Sequence, residues 1–419
     1  MTGVKAVLRR GPVDIAMRPP GSKSLTNRAL ICAALADGRS TLIGPLSSDD
    51  TEAMVSALRA LGVAIAIDGA VWHVEGGRLR EADHTLDARM SGTTLRFLTA
   101  ALAVAEGVNV IDGSDRLRQR PIGELVAALR SLGADVEAEG PWGGAPVRVR
   151  GPRLTGGRIE MDGRLSSQPV SAVMLVAPYA DEDVELRFVD GQVASATYLQ
   201  TTKEVMAAFG VAADVARTVT VVAHQRYRPT PYEVEADASA AVYPWTAAAI
   251  TGGRARVTGI SVDSTQADLG VLSVLELMGC SVERGVDGIE IVGPNRLEGI
   301  GADMSGCPDG ALAVAVAAAF ADGPTELTGL GTLSVKETDR LTALRTELEK
   351  LGVRVRQGAD SLWIEPGRLQ GATIATYDDH RMAMAFSLAG LAIDGVEIED
   401  PECVTKTWPG FWEEFDTWT

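Results

Sequence analysis

Seven cations stand apart from the other charges of this chain because each lies at or near a helix start or a break in an apolar run. They are Lys23 and Arg28 in "PGSKSLTNRAL", Arg120 in "RLRQRPIGEL", Lys336 and Arg340 in "SVKETDRL", Arg381 in "DDHRMAMAF" and Lys406 in "VTKTWPGF". Free backbone N–H groups and the helix dipole at such starts attract anions, and a neighbouring cation adds to the pull. Gly21-Ser22-Lys23-Ser24 suggests a phosphate loop. That motif needs glycine directly before the lysine and again five residues earlier, where this chain has Ser22 and Met17, so the match fails. Asp309, Glu337 and His380 stand among the cations and supply groups able to move protons. Crowded together, seven cations repel one another unless anions bind among them. Plainer readings stand beside this one. A lone arginine is commonly half of a surface ion pair, and Ser334 with Glu337 fits a capping box. Asp309 after Pro308 fits an N-cap, and His380 fits a core histidine.

The elements that must position these residues recur along the chain. A small or polar start, an apolar helix-like run, a glycine or acidic stop and a short strand-like run repeat six times, as in "SKSLTNRALICAALADGRSTLIG" and "SGTTLRFLTAALAVAEGVNVIDG". The stops fall near Gly38, Gly107, Glu182, Gly253, Gly323 and Gly395. Between them lie "ALRALGVAI", "ALRSLGADV", "VMAAFGVAA", "VLELMGCSV" and "ELEKLGVRV", each reading as a helix end, a glycine C-cap and a strand. Each unit therefore holds one helix apolar nearly all round, to be buried, and one amphipathic helix for the surface. The sixth unit lacks the second signature, and "VKAVLRRGPVDIAMRP" at the N-terminus is free to supply its missing strands. The expectation is an α/β protein of two similar domains with three repeats each. Residues 21–235 form the first, and 1–20 with 236–419 the second. The starts of the buried helices then meet in a cleft between them, with Lys336 and Arg340 on one helix face.

A formal charge of −17 argues against a nucleic-acid-binding surface, so any anion site must be a local basic pocket. Four scattered cysteines and four histidines give no zinc spacing, no metal is expected, and a reducing cytoplasm fits. The N-terminus has no signal-like apolar segment, and no run reaches the ~20 residues that span a bilayer.

Together, "PGSKSLTNRAL", "SGTTLRF", "RLRQRPI", "LSSQPVSAVML", "CPDGALAVA", "VKETDRL", "YDDHRMAMAFSLAG" and "KTWPGFWEEF" resemble the 5-enolpyruvylshikimate-3-phosphate synthase family over nearly the whole chain. The resemblance implies two inside-out α/β domains and transfer of the enolpyruvyl group of phosphoenolpyruvate to the 5-hydroxyl of shikimate 3-phosphate, with release of phosphate. It implies no metal and no organic cofactor. Shikimate 3-phosphate would meet Lys23, Ser24, Arg28, Ser166, Ser167, Gln168, Ser195, Tyr198, Asp309 and Lys336. Phosphoenolpyruvate would meet Lys23, Gly92, Arg120, Gln168, Arg340, Arg381 and Lys406. Asp309 is assigned as base toward the hydroxyl and Glu337 as acid at the methylene carbon, with Lys23 assisting and His380 supporting. A cytoplasmic monomer is expected.

Two positions depart from the family pattern: Met90 replaces an asparagine before Ser91-Gly92-Thr93, and Thr332 replaces another ahead of Lys336-Glu337. Gly92, where a methyl would crowd the inhibitor pocket, implies sensitivity to glyphosate. Two rivals remain. One is a UDP-N-acetylglucosamine enolpyruvyl transferase, which typically has a lysine-asparagine start and a reactive loop cysteine. The other is a noncatalytic binder of phosphorylated metabolites, which would gain nothing from Asp309 and Glu337 beside its ligand.

Overall fold

The computed structural model of the protein describes residues 3–286 and 288–419. Among them, eleven helices of eight residues or more run in order: α1 Lys23–Leu35, α2 Asp49–Ala60, α3 Gly92–Leu102, α4 Gly123–Ser131, α5 Gln168–Val176, α6 Thr197–Ala208, α7 Ala238–Thr251, α8 Gly270–Leu277, α9 Ala311–Ala318, α10 Arg340–Lys350 and α11 His380–Ala392. No helix of the described residues is long and apolar enough to cross a membrane. The chain divides into two compact units: Gly21–Val234, and Glu235–Thr419 together with the segment ending at Pro20. Glu235, expected with the middle segment, belongs to the other unit, where its carboxylate accepts from Ser264 Oγ at 2.6 Å.

The middle unit contains three four-stranded sheets of one pattern. Their strand orders are Pro231–Glu233, Gly38–Ile43, Val71–Gly76, Ala64–Asp68; then Leu86–Asp87, Gly107–Asp112, Val147–Gly151, Asp135–Ala138; then Gly157–Gly163, Val184–Val193, Thr218–Val221, Ala213–Val215. In each, the first pair is parallel and the other two are antiparallel. Helices α1, α3 and α5 touch one another pairwise and are buried almost throughout, as their uninterrupted apolar composition requires. Helix α2 buries Ala53, Met54, Val55 and Leu58 and exposes Glu52, Ser56 and Arg59. The amphipathic spacing anticipates this face.

Glycine at the end of a strand lets two of these sheets close on the buried helices. A Cβ on Gly76 would lie 2.0 Å from the carbonyl oxygen of Ala33 in α1, and one on Gly151 2.4 Å from that of Ala105, just past α3. The same approach recurs in the other unit, between Gly293 and the Ala248 carbonyl of α7 at 2.1 Å.

The other unit has two four-stranded sheets and one of three strands. The N-terminal segment enters twice: Asp14–Met17 runs parallel to Arg254–Val257, and Val4–Ala6 pairs antiparallel with Glu397–Glu399. The second pairing completes the sheet of the sixth repeat. Helices α7, α9 and α11 contact one another pairwise. In place of a second helix, the sixth repeat ends in the short helix Phe411–Phe415, whose Phe411 ring packs against Tyr243, Trp408, Trp412, Phe415 and Trp418. This cluster buries Trp418 next to the C-terminus and supplies aromatic area that a short helix otherwise lacks.

Candidate active site

In the middle unit, α1 begins with Ser22 as N-cap and carries Lys23, Ser24 and Arg28 in its first two turns. Lys23 Nζ lies 3.1 Å from Asp50 Oδ2 on α2. Arg28 is 2% exposed and meets mainly neutral oxygens. It donates to Thr202 Oγ1 at 2.8 Å, the Ser24 carbonyl at 2.9 Å, Ser171 Oγ at 3.3 Å and the Tyr198 carbonyl at 3.5 Å. Its guanidinium carbon also lies 5.2 Å from the ring centroid of Phe97 and 5.8 Å from that of Tyr198. Burial lowers its pKa to about 10, so it stays charged at neutral pH, with no carboxylate among its hydrogen-bond partners within the described residues. Such a group is primed for an anion. Tyr198 follows Ser195, whose φ of 53° turns the chain into α6.

A second cradle forms where α3 and α5 begin. Ser167 caps α5 and Ser166 Oγ accepts from the Gln168 amide at 3.2 Å. The Gln168 side chain accepts from Arg96 Nη1 at 2.9 Å and donates to Thr93 Oγ1 at 3.3 Å. Arg96 donates further to the Gly92 and Pro121 carbonyls. A Cβ on Gly92 would lie 2.7 Å from both Arg120 Cζ and Arg96 Nη1, so the absent side chain makes room for two guanidinium groups. Arg120, 6% exposed, precedes α4 by three residues. Arg96 was absent from the expected set. Its signal was an arginine in the fifth place of a helix with no other charged residue.

In the other unit, residues at and just ahead of the starts of α9, α10 and α11 build a charge cluster. Asp309 is paired with three cations: Lys336 at 3.3 Å, Arg340 at 3.0 Å and Arg381 at 3.2 Å. Arg340, 1% exposed, also grips both oxygens of Asp379 at 2.7 and 3.1 Å and meets Glu337 at 3.0 Å. Burial works to raise the Asp309 pKa. The combined charges of Arg381, Lys336 and Arg340 outweigh it and hold this carboxyl well below the usual range. His380 is buried, with Nδ1 3.6 Å from Asp379 Oδ1. Lys406 is buried at the end of the short helical stretch Pro401–Lys406, where its charge acts on Asp378.

Several expectations change here. Lys336, Arg340 and Arg381 are met by Asp309, Glu337 and Asp379, so their repulsion is offset by the chain itself. Helix α10 starts only at Arg340, with Asp339 as N-cap accepting from the Thr342 amide at 3.3 Å. Lys336 and Arg340 therefore do not share a helix face. Ser334 and Glu337 form no capping box: Ser334 Oγ donates to the Gly331 carbonyl at 2.9 Å. Gly310, not Asp309, is the N-cap of α9. Thr332 Oγ1 is buried with no hydrogen-bond partner among the described residues.

A repeated sheet-and-helix scaffold, with arginine-lined cradles at its buried helix starts and a carboxylate clamped by cations, defines a class of enzymes that act on small, multiply anionic substrates. Comparison gives the particular family. The sequence profile of EPSP synthase (3-phosphoshikimate 1-carboxyvinyltransferase) matches residues 9–415. The chain is 44% identical over 414 residues to the 3-phosphoshikimate 1-carboxyvinyltransferase of Methanoculleus marisnigri, covering 97% of both. It is 40% identical to that of Trichormus variabilis, covering 96% of both. A solved EPSP synthase from Acinetobacter baumannii superposes with a TM-score of 0.84 at 26% identity, covering 99% of this chain and 98% of that one. The chain belongs to the EPSP synthase family.

Proposed function

We propose that the cradles of the two units serve one reaction. As a member of its family, the chain is an enzyme of the shikimate pathway that transfers the enolpyruvyl group of phosphoenolpyruvate to shikimate 3-phosphate. The 5-hydroxyl oxygen attacks the substituted carbon of the enol while the methylene carbon takes a proton. The resulting methyl group then returns a proton as phosphate departs, which restores the double bond. Lys23, Ser24, Arg28, Ser166, Ser167, Gln168, Ser195, Tyr198 and Lys336 hold shikimate 3-phosphate. Lys23, Gly92, Arg120, Gln168, Arg340, Arg381 and Lys406 take phosphoenolpyruvate. Asp309 accepts the hydroxyl proton, Glu337 serves the methylene carbon with Lys23, and His380 supports the pair.

The observation that carries this reading is the triple clamp on Asp309. Phosphate and carboxylate groups of the substrates compete for Lys336, Arg340 and Arg381. As those cations turn to substrate, Asp309 regains the basicity they suppress. The enzyme works as a cytoplasmic monomer, and glyphosate competes with phosphoenolpyruvate.

Phosphate release from phosphoenolpyruvate is the test, with shikimate 3-phosphate or UDP-N-acetylglucosamine as acceptor. Release with the first alone supports the reading, and release with the second alone overturns it. Asp309→Asn should still bind shikimate 3-phosphate while turnover falls roughly 10²- to 10⁴-fold. A noncatalytic binder would show no phosphate release in either form. Turnover unchanged at high glyphosate would remove the inhibitor from the account.

A further inference from the structure

Asp268 lies outside every motif discussed so far. It sits in the short helical stretch Ala267–Leu269 ahead of α8 and is 1% exposed. Its Oδ1 accepts from the Gly310 amide at 3.2 Å, and its Oδ2 accepts from Ser239 Oγ in the first turn of α7. Gly310 is the residue after Asp309 and the N-cap of α9. A Cβ there would lie 2.3 Å from Val271 Cγ2, so only glycine lets the α8 segment approach this peptide.

Asp268 also shares an electrostatic partner with Asp309. Burial raises its pKa to about 6, Arg381 pulls it down, and Asp309 pushes it up. The Arg381 guanidinium, paired with Asp309 at 3.2 Å, is further hydrogen-bonded by the buried hydroxyl of Tyr243 on α7. A carboxylate with 1% exposure and two hydrogen bonds is an expensive residue to retain for packing alone.

We propose that Asp268 is a positioning residue for the transfer reaction: it fixes the peptide that carries Asp309 and shares the charge of Arg381. This rests on the reading that Asp309 accepts the hydroxyl proton and Arg381 binds phosphoenolpyruvate. Without the Gly310 contact, the backbone at Asp309 loses this side-chain tether to the segment ahead of α8. Without the negative charge, Arg381 is drawn more strongly to Asp309 and releases it less readily to substrate. Misplacement of a reacting group by about 1 Å costs on the order of 10² in rate.

Steady-state kinetics of Asp268→Asn and Asp268→Ala, with Tm measured alongside, test this. Asn keeps an oxygen for the Gly310 amide and loses only the charge; Ala loses both. The expected order of kcat is parent, then Asn, then Ala. The Ala variant should fall roughly 10²-fold and the Asn variant recover about tenfold of that loss. The KM for shikimate 3-phosphate should stay within about threefold throughout, since the Arg28 cradle is untouched. An Ala variant with parental kcat overturns the proposal. So does an Asn variant no better than Ala, or a kcat loss matched by an equal loss of shikimate 3-phosphate binding. If Ala fails to fold, the Asn variant decides alone: parental kcat overturns the proposal, and a roughly tenfold fall with parental KM supports it. Absence of phosphate release in the parent itself would instead sink the functional reading, independently of Asp268.

Discussion

Gly92 shows how much one missing methyl group can decide. Alanine there brings a Cβ to 2.7 Å from Arg120 Cζ and Arg96 Nη1, and the two guanidinium groups must move. Gly92→Ala should raise the KM for phosphoenolpyruvate roughly tenfold, about 1.4 kcal/mol, while the KM for shikimate 3-phosphate changes little; initial-rate kinetics in each substrate separate the two. Glu124, in the first turn of α4, bears a carboxyl oxygen that is buried without a hydrogen-bond partner among the described residues. Burial, with the charge of Asp162 behind it and against the attraction of Arg96, lifts its pKa from 4.5 to about 7. The folded state thus retains a proton that the unfolded chain has lost between those values, and stability falls as pH rises through that window. Glu124→Gln should therefore melt higher than the parent at pH 8, with the difference shrinking toward pH 5; equal Tm at pH 8 would refute this. Residues of this kind were hidden in the sequence. The cations at helix starts were legible because local spacing marks them, whereas Asp50, Asp268 and Asp379 act through contacts with distant segments that no local pattern encodes.

At the scale of elements, the strand-end glycines govern how closely a sheet can lie on a buried helix. Gly151→Ala pushes a methyl to 2.4 Å from the Ala105 carbonyl, and overpacking of this kind costs roughly 1–3 kcal/mol. Thermal unfolding should show a Tm lower by about 2–4 °C for each kcal/mol. The repeat itself was readable, because a helix apolar on all sides and an amphipathic partner give different periodicities. Where α10 begins was not. Ser334-x-x-Glu337 and Asp339 both offer caps, and the choice fell to Asp339 because Arg340 must face Asp379 and Glu337 must face Arg340. A buried ion-pair network overrode the local capping signal. The strand Asp14–Met17 was likewise placed by a parallel pairing with Arg254–Val257, a contact separated by some 240 residues that periodicity cannot foresee.

At the scale of the whole molecule, the middle unit is an insertion. Its ends lie side by side: Val234 donates from its amide to the Ile43 carbonyl at 2.8 Å, and a Cβ on Gly21 would touch the next carbonyl, Gly44. The interrupted unit is closed in the same way, with Asp237 N 2.8 Å from the Pro20 carbonyl oxygen. Residues 21–234, which hold all three of their sheets and their own core, should therefore fold alone with a cooperative melting transition; a non-cooperative melt would count against their independence. The pairing of Val4–Ala6 with Glu397–Glu399 bears on biosynthesis. At about 5–20 residues per second, the first strand to leave the ribosome waits roughly 20–80 s for its partner to be translated. Through that interval the middle unit can mature on the nascent chain while the N-terminal strand stays unpaired and open to chaperones. Translation halted just short of the last repeat would release a polypeptide with one domain finished and the other permanently unclosed.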